Sequence, residues 1–163
     1  MMTWYDDLSP CTYFDLDQPH GEKLLAVGWL ERGHPYPQGS IARAVQTKLV
    51  SLCENPWEPL TFLGWHTCDR CLPTERRDAV QAGEMTVPMG NENLFIPGHG
   101  LLYVAPSLIV HFIAVHGYQP PPAFCAAVLA CPPMGSEDYL QAISSNGPAT
   151  FAKWVRETPR KIQ

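Results

Sequence analysis

Seventeen prolines are spread over this chain of 163 residues, about twice the average usage. Proline lacks a backbone N–H donor and breaks a helix when it stands in the interior, so the elements between prolines must be short. The sequence therefore excludes a compact helical bundle and predicts many irregular connections. The length is typical of one domain, and a chain of this size buries about 68–70% of its unfolded surface without needing disulfides.

Apolar patterning between the prolines predicts short strands and helices. Strands are predicted at residues 24–30, 61–66, 85–87, 94–96 and 101–104. The last three would form an antiparallel meander. Residues 72–84 are predicted to be a solvent-exposed segment without regular structure, here called the solvated excursion. Helices are predicted at 41–53 with Ser40 as N-cap, from Pro106 at a first helical position to a stop at Gly117, at 123–131, after Ser136, and at 148–157.

The segment Gly64-Trp65-His66-Thr67-Cys68-Asp69-Arg70-Cys71 carries the strongest chemical signal. A Cys-x-x-Cys pair can bend into a knuckle that aims both sulfurs at one point, and zinc takes four such ligands in a tetrahedron. His111 and His116 follow at the spacing of paired zinc-binding histidines. On an ideal helix they point about 140° apart, because each residue turns by about 100°. Gly117 can loosen that last turn, so Cys68, Cys71, His111 and His116 are the predicted Zn²⁺ ligands.

A fifth donor competes for the four positions. Alternation along a strand would place His66 and Cys68 on one face, so His66 could replace one helix histidine as ligand. A redox-active Cys-x-x-Cys pair is the other alternative. Such a pair usually opens a helix, whereas Leu72-Pro73-Thr74 follows here. The remaining helical cysteines are interpreted as buried thiols: Cys53, Cys125 and Cys131.

Together these patterns predict one α+β domain: a small antiparallel sheet with packed helices and a zinc site. Residues 1–131 would form the zinc-binding body, and residues 132–163 a helical extension packed on the same domain.

Charge and hydropathy exclude several classes of protein. The formal net charge is −5 and the basic residues are scattered, which disfavours nucleic-acid binding. The longest apolar run, residues 123–131, is far shorter than the roughly 20 residues that span a membrane. No basic-then-apolar signal segment opens the chain, so a cytoplasmic location is expected. In that reducing compartment six cysteines favour metal binding or burial over disulfides.

Several motifs are distinctive in combination: Gly33-His34-Pro35-Tyr36-Pro37, Gly64-x-His66-x-Cys68-x-x-Cys71, and His111-x₄-His116-Gly117-Tyr118-x-Pro120-Pro121. Over about residues 10–130 the chain resembles a family of small uncharacterised bacterial proteins. The resemblance implies no activity. It implies that the cysteine pair and the two helix histidines belong to one shared feature.

The sequence leaves two functions open. The first is a zinc-stabilised protein that acts through protein–protein interaction, for example a toxin-neutralising or phage-related factor; small size, acidity and the lack of a catalytic motif favour it. The alternative is a small zinc-dependent hydrolase with an open metal position, using His66, Cys68 and one helix histidine as ligands. Its general base would be Asp69, Glu75 or Glu84. No catalytic or organic cofactor-binding residue is otherwise predicted.

We expect no binding to duplex DNA at physiological ionic strength, because phosphate neutralisation requires a basic stripe that the chain lacks. Gel-shift titration at two salt concentrations checks this. A shift that saturates at micromolar protein and weakens with salt would contradict it.

Overall fold

The structure is a computed structural model that describes residues 3–16, 18–60, 66–72, 74, 79–82, 85–88, 90 and 92–158. The helices are α1 Arg43–Cys53, α2 Ile109–His116, α3 Pro122–Ala130, α4 Glu137–Asn146 and α5 Ala149–Glu157, with short 3₁₀ turns at Thr12–Phe14 and Gly21–Lys23. The strands are β1 Leu24–Ala26, β2 Ala79–Ala82, β3 Met85–Pro88, β4 Asn93–Pro97 and β5 Leu102–Pro106. This content confirms the α+β class.

Strand β5 is the centre of the main sheet, whose order is β1-β5-β4. All five of its residues are buried, as expected for a strand covered on both faces. It runs antiparallel to β4, with Ile96 opposite Tyr103, and parallel to β1, with Leu25 opposite Tyr103 from the other side. The sheet is therefore mixed rather than purely antiparallel.

The predicted meander holds only for β4 and β5. Strand β3 pairs instead with β2 in a separate antiparallel hairpin. The predicted solvated excursion at 72–84 therefore contains a strand, because β2 spans Ala79–Ala82. Of the strand predicted at 61–66, residues 61–65 lie outside the described part of the chain.

Strand β1 is shorter than the predicted 24–30 because Gly28 turns the backbone away. Its φ is +73°, a left-handed conformation that favours glycine. Its N–H donates to the Asp7 carboxylate at 2.9 Å instead of extending the sheet. The N-terminal segment also covers the outer edge of β1, since the N–H of Cys11 donates to the Leu24 carbonyl.

Two predicted helix starts are wrong, and tertiary pairing explains both. Helix α1 has Ala42 at the N-cap position, without a side-chain cap bond, rather than Ser40. Ser40 lies before the helix begins, and its carbonyl accepts from Gln119 Nε2. Pro106 ends β5 opposite Asn93 rather than opening a helix, so α2 begins only at Ile109.

The other helix predictions are confirmed. Val45, Leu49 and Leu52 form the buried stripe of α1. Gly117 ends α2 with φ +63°. Ser136 caps α4 by accepting from the Tyr139 N–H.

Helices α4 and α5 pack on the sheet through aromatic side chains. The Tyr139 hydroxyl donates to the Phe95 carbonyl of β4 at 2.8 Å. The rings of Phe95 and Phe151 meet edge to face with centroids 5.0 Å apart. The extension thus shares aromatic packing with the sheet, while the division of the chain at residues 131 and 132 stays a prediction.

Truncating Phe151 to alanine should lower the free energy of unfolding by about 3–5 kcal/mol, because the ring is fully buried. Urea unfolding followed by fluorescence and circular dichroism measures the change. The exposed Lys153→Ala on the same helix is the matched control and should change stability by less than about 1 kcal/mol. Equal stability of both variants would show that α5 does not support the domain.

Candidate metal centre

The cysteine pair and helix α2 converge on one point. Residues 68–71 form an irregular turn, here called the knuckle, with Cys68 and Cys71 at its two ends. Helix α2 presents His111 from its first turn and His116 as its last residue. The four side chains form a group that could hold a metal ion. These are the four predicted donors.

The donor atoms are close enough for a single ion. The Cys71 sulfur lies 3.3 Å from His111 Nε2 and 3.4 Å from His116 Nε2. The Cys68 sulfur lies 3.3 Å from His116 Nε2. All four donor atoms lie within 4.8 Å of one another. Tetrahedral bonds of about 2.3 Å to sulfur and about 2.0–2.1 Å to nitrogen place those atoms about 3.6 Å apart, so the cluster has the size of a four-coordinate site.

A widened last turn lets both histidines of α2 reach the cysteines. The N–H of Gly117 donates to the carbonyl of Phe112, five residues back rather than the four of a regular α-helix. A wider turn reduces the rotation per residue and brings His116 round towards the face of His111. Their ring centroids are 5.1 Å apart.

The cluster is largely shielded from water. Cys68, Cys71 and His111 are buried, whereas His116 is partly exposed. Burial lowers the pKa of His116, the nearby Arg70 guanidinium lowers it further, and Asp69 opposes both. These surroundings favour the neutral imidazole, which is the form that ligates metals.

Residues 31–40 wrap around the knuckle and are here called the wrapping segment. The Arg70 guanidinium donates to the carbonyls of Glu31 at 2.7 Å and His34 at 2.6 Å. In return the Asp69 carboxylate accepts from the Arg32 N–H at 2.9 Å. The two residues between the cysteines therefore hold the first half of this segment.

The second half of the wrapping segment contacts the end of α2. Tyr36 donates its hydroxyl to the His116 carbonyl at 3.0 Å, and its ring lies 4.4 Å from the Arg70 guanidinium carbon. Gly39 and Gln119 complete an extended pairing, donating to the carbonyls of Gly117 and Pro37 respectively. The sequence does not predict these contacts of the wrapping segment, because hydrogen bonds to backbone carbonyls leave no residue pattern.

His66 is not part of the cluster. It lies instead at a small cavity that is also lined by Trp29, Glu92 and Ser107. Its Nδ1 is buried without a hydrogen-bond partner, and burial lowers its pKa. Of the cysteines predicted as buried thiols, Cys53 and Cys131 are buried and Cys125 is half-buried.

The fold and the site define a small α+β protein with a two-cysteine, two-histidine cluster that could hold a metal ion. Residues 3–129 match the family DUF7919, a domain of unknown function, and the chain belongs to this family. That membership agrees with the resemblance to an uncharacterised family. No curated protein and no solved structure is significantly similar to the chain. Among the described residues, no helix has the length and apolar character needed to cross a lipid bilayer.

We predict one metal ion per chain in the purified protein, because four donors surround a single point. Replacing Cys71, which contacts both histidines, by serine should remove most of the metal. Inductively coupled plasma mass spectrometry measures the content. Cys125→Ser is the matched control and should keep the full amount, since Cys125 lies outside the cluster. Full metal in Cys71→Ser, or none in the wild type, would reject the site.

Proposed function

We propose that this protein is stabilised by one structural zinc ion and acts by binding another protein. The observation that carries the proposal is the set of four protein donors, two sulfurs and two imidazole nitrogens, around one point. Thiolate and imidazole donors at tetrahedral size favour zinc over the oxygen-preferring magnesium and calcium.

A closed donor set favours a structural ion over a catalytic one. A zinc hydrolase keeps a coordination position for water, with three protein ligands around the metal. The hydrolase alternative depended on His66 as one of three ligands, and His66 lies outside the cluster. With four protein donors in place, no position remains for water or substrate.

Zinc bound here would hold distant parts of the chain together. Cys71 and His111 are separated by residues 72–110, and closing a loop of that length costs conformational entropy. Because Arg70 and Tyr36 link the same centre to the wrapping segment, the ion would also support that segment. The proposed role is therefore to shape one surface of the protein.

Exposed apolar side chains next to the centre support a role in protein binding. Leu72 follows Cys71 and is 59% exposed, and Val115 precedes His116 and is 58% exposed. Apolar side chains on a structured surface contribute to partner contacts. A toxin-neutralising or phage-related factor is an example of such a protein.

Removing zinc should destabilise the domain rather than leave the fold intact. Zinc binding contributes about 10–16 kcal/mol in isolated finger peptides, and here the hydrophobic core shares that task. We expect a loss of at least about 3 kcal/mol, which lowers the Tm by at least about 6 °C for a domain of this size.

Thermal unfolding with and without a strong chelator measures this change, and added zinc should restore the original Tm. Cys125→Ser is the control and should respond to chelation as the wild type does. If chelated protein is metal-free by mass spectrometry yet melts at the wild-type temperature, the ion does not support the fold. A catalytic or regulatory ion would then be favoured.

Replacing both Leu72 and Val115 by serine should abolish partner binding without removing zinc. Tagged wild-type protein is used to capture host proteins, and the captured partner is then purified and titrated by calorimetry. Leu129→Ser is the matched control, because Leu129 is 52% exposed but lies on α3. Equal affinity of all three proteins for the purified partner would contradict binding at the zinc centre.

A further inference from the structure

The cysteines of this chain fall into two groups with different environments. Burial raises the pKa of Cys11 to about 12 and that of Cys131 to about 11, and it raises the pKa of Cys53 further. Burial also raises the pKa of the half-buried Cys125. The thiolate is the form that reacts with oxidants, so these four thiols should be inert near neutral pH.

Cys68 and Cys71 form the other group. A bound metal ion requires both sulfurs as thiolates, and they share one cluster whose donor atoms lie within 4.8 Å. A disulfide requires a sulfur–sulfur distance of about 2.05 Å, so the two sulfurs must approach one another. The knuckle belongs to no helix or strand, so this approach breaks no regular element. Among the described cysteines, Cys68 and Cys71 are the two that lie in the group that could hold a metal ion.

We propose that the metal centre is also a redox switch, in which a peroxide converts Cys68 and Cys71 into a disulfide and the zinc ion is released. This inference rests on the proposed zinc centre and adds a mode of regulation to it. Of the four donors, His111 and His116 alone would remain, and two imidazoles do not complete a tetrahedral site.

The reaction balances with a peroxide as the only oxidant. One thiolate attacks a peroxide oxygen, the O–O bond breaks, and a sulfenic acid and hydroxide form. The second thiolate then attacks that sulfur, the S–S bond forms, and a second hydroxide leaves. Two sulfurs lose two electrons in total, peroxide gains them, and zinc departs unchanged as Zn²⁺. Two equivalents of a small thiol, or one dithiol, reverse the oxidation.

The knuckle transmits this change to the surface. Asp69 and Arg70 lie between the two cysteines and hold the backbone of residues 31–34. A disulfide reshapes the turn that carries both side chains. Loss of the ion also releases His116, whose carbonyl accepts from Tyr36. The wrapping segment should therefore loosen when the pair is oxidised.

The test adds hydrogen peroxide to the zinc-loaded full chain and follows zinc release with a coloured chelator. Intact mass spectrometry after alkylation under denaturing conditions counts the free thiols. We expect one zinc released for every two thiols lost, four alkylated cysteines instead of six, and recovery of the zinc-bound form with dithiothreitol and zinc. Hydrogen exchange should rise in residues 31–40. Peptide mapping should place the disulfide between Cys68 and Cys71.

Cys125→Ser is the control and should release zinc at the wild-type rate, with three alkylated cysteines after oxidation instead of five. Retention of zinc at peroxide concentrations that oxidise the other cysteines of the chain would overturn the switch. A disulfide mapped to another pair of cysteines would also overturn it. Both outcomes would contradict the redox switch but would still be consistent with the proposed structural role of zinc. A freshly purified chain without zinc would instead contradict the proposed function itself.

Discussion

The contact between the Cys71 sulfur and the two histidines of α2 is the interaction around which this side of the molecule is arranged. It joins a knuckle without regular structure to the helix that follows the central strand β5. Without an ion, two thiols and two imidazoles offer only weak sulfur hydrogen bonds. With an ion, the same four atoms would gain coordinate bonds, so the proposed zinc would determine how firmly the knuckle is held.

A second, half-buried contact secures the end of α2. Both carboxylate oxygens of Asp7 accept from the Tyr118 hydroxyl, at 2.8 Å and 2.9 Å, and one also accepts from the Gly28 N–H. Side chains are excluded at Gly28, because an added Cβ would lie 2.9 Å from Ile109. Only Gly117 separates His116 from Tyr118, so α2 ends between the candidate metal centre and the half-buried Asp7 carboxylate.

The donors were predictable from the sequence because their spacing is itself the signal. A Cys-x-x-Cys pair and a histidine pair ending at a glycine are local patterns, and the structure brings all four side chains together. The helix boundaries at Ser40 and Pro106 were predicted wrongly because non-local pairing outweighed local capping preference. Other contacts join segments that are far apart in the chain. Strand β1 pairs in parallel with β5, and Arg70 donates hydrogen bonds to the backbone of residues 31–34. No sequence periodicity encodes such contacts.

X-ray absorption spectroscopy at the zinc edge on the purified protein tests the central claim most directly. We predict that the ion is surrounded by two sulfur atoms at about 2.3 Å and two nitrogen atoms at about 2.0–2.1 Å. We also expect the imidazole multiple-scattering pattern of two histidines. A first shell with fewer than two sulfurs, or with three protein donors and a water oxygen, would contradict the closed structural centre.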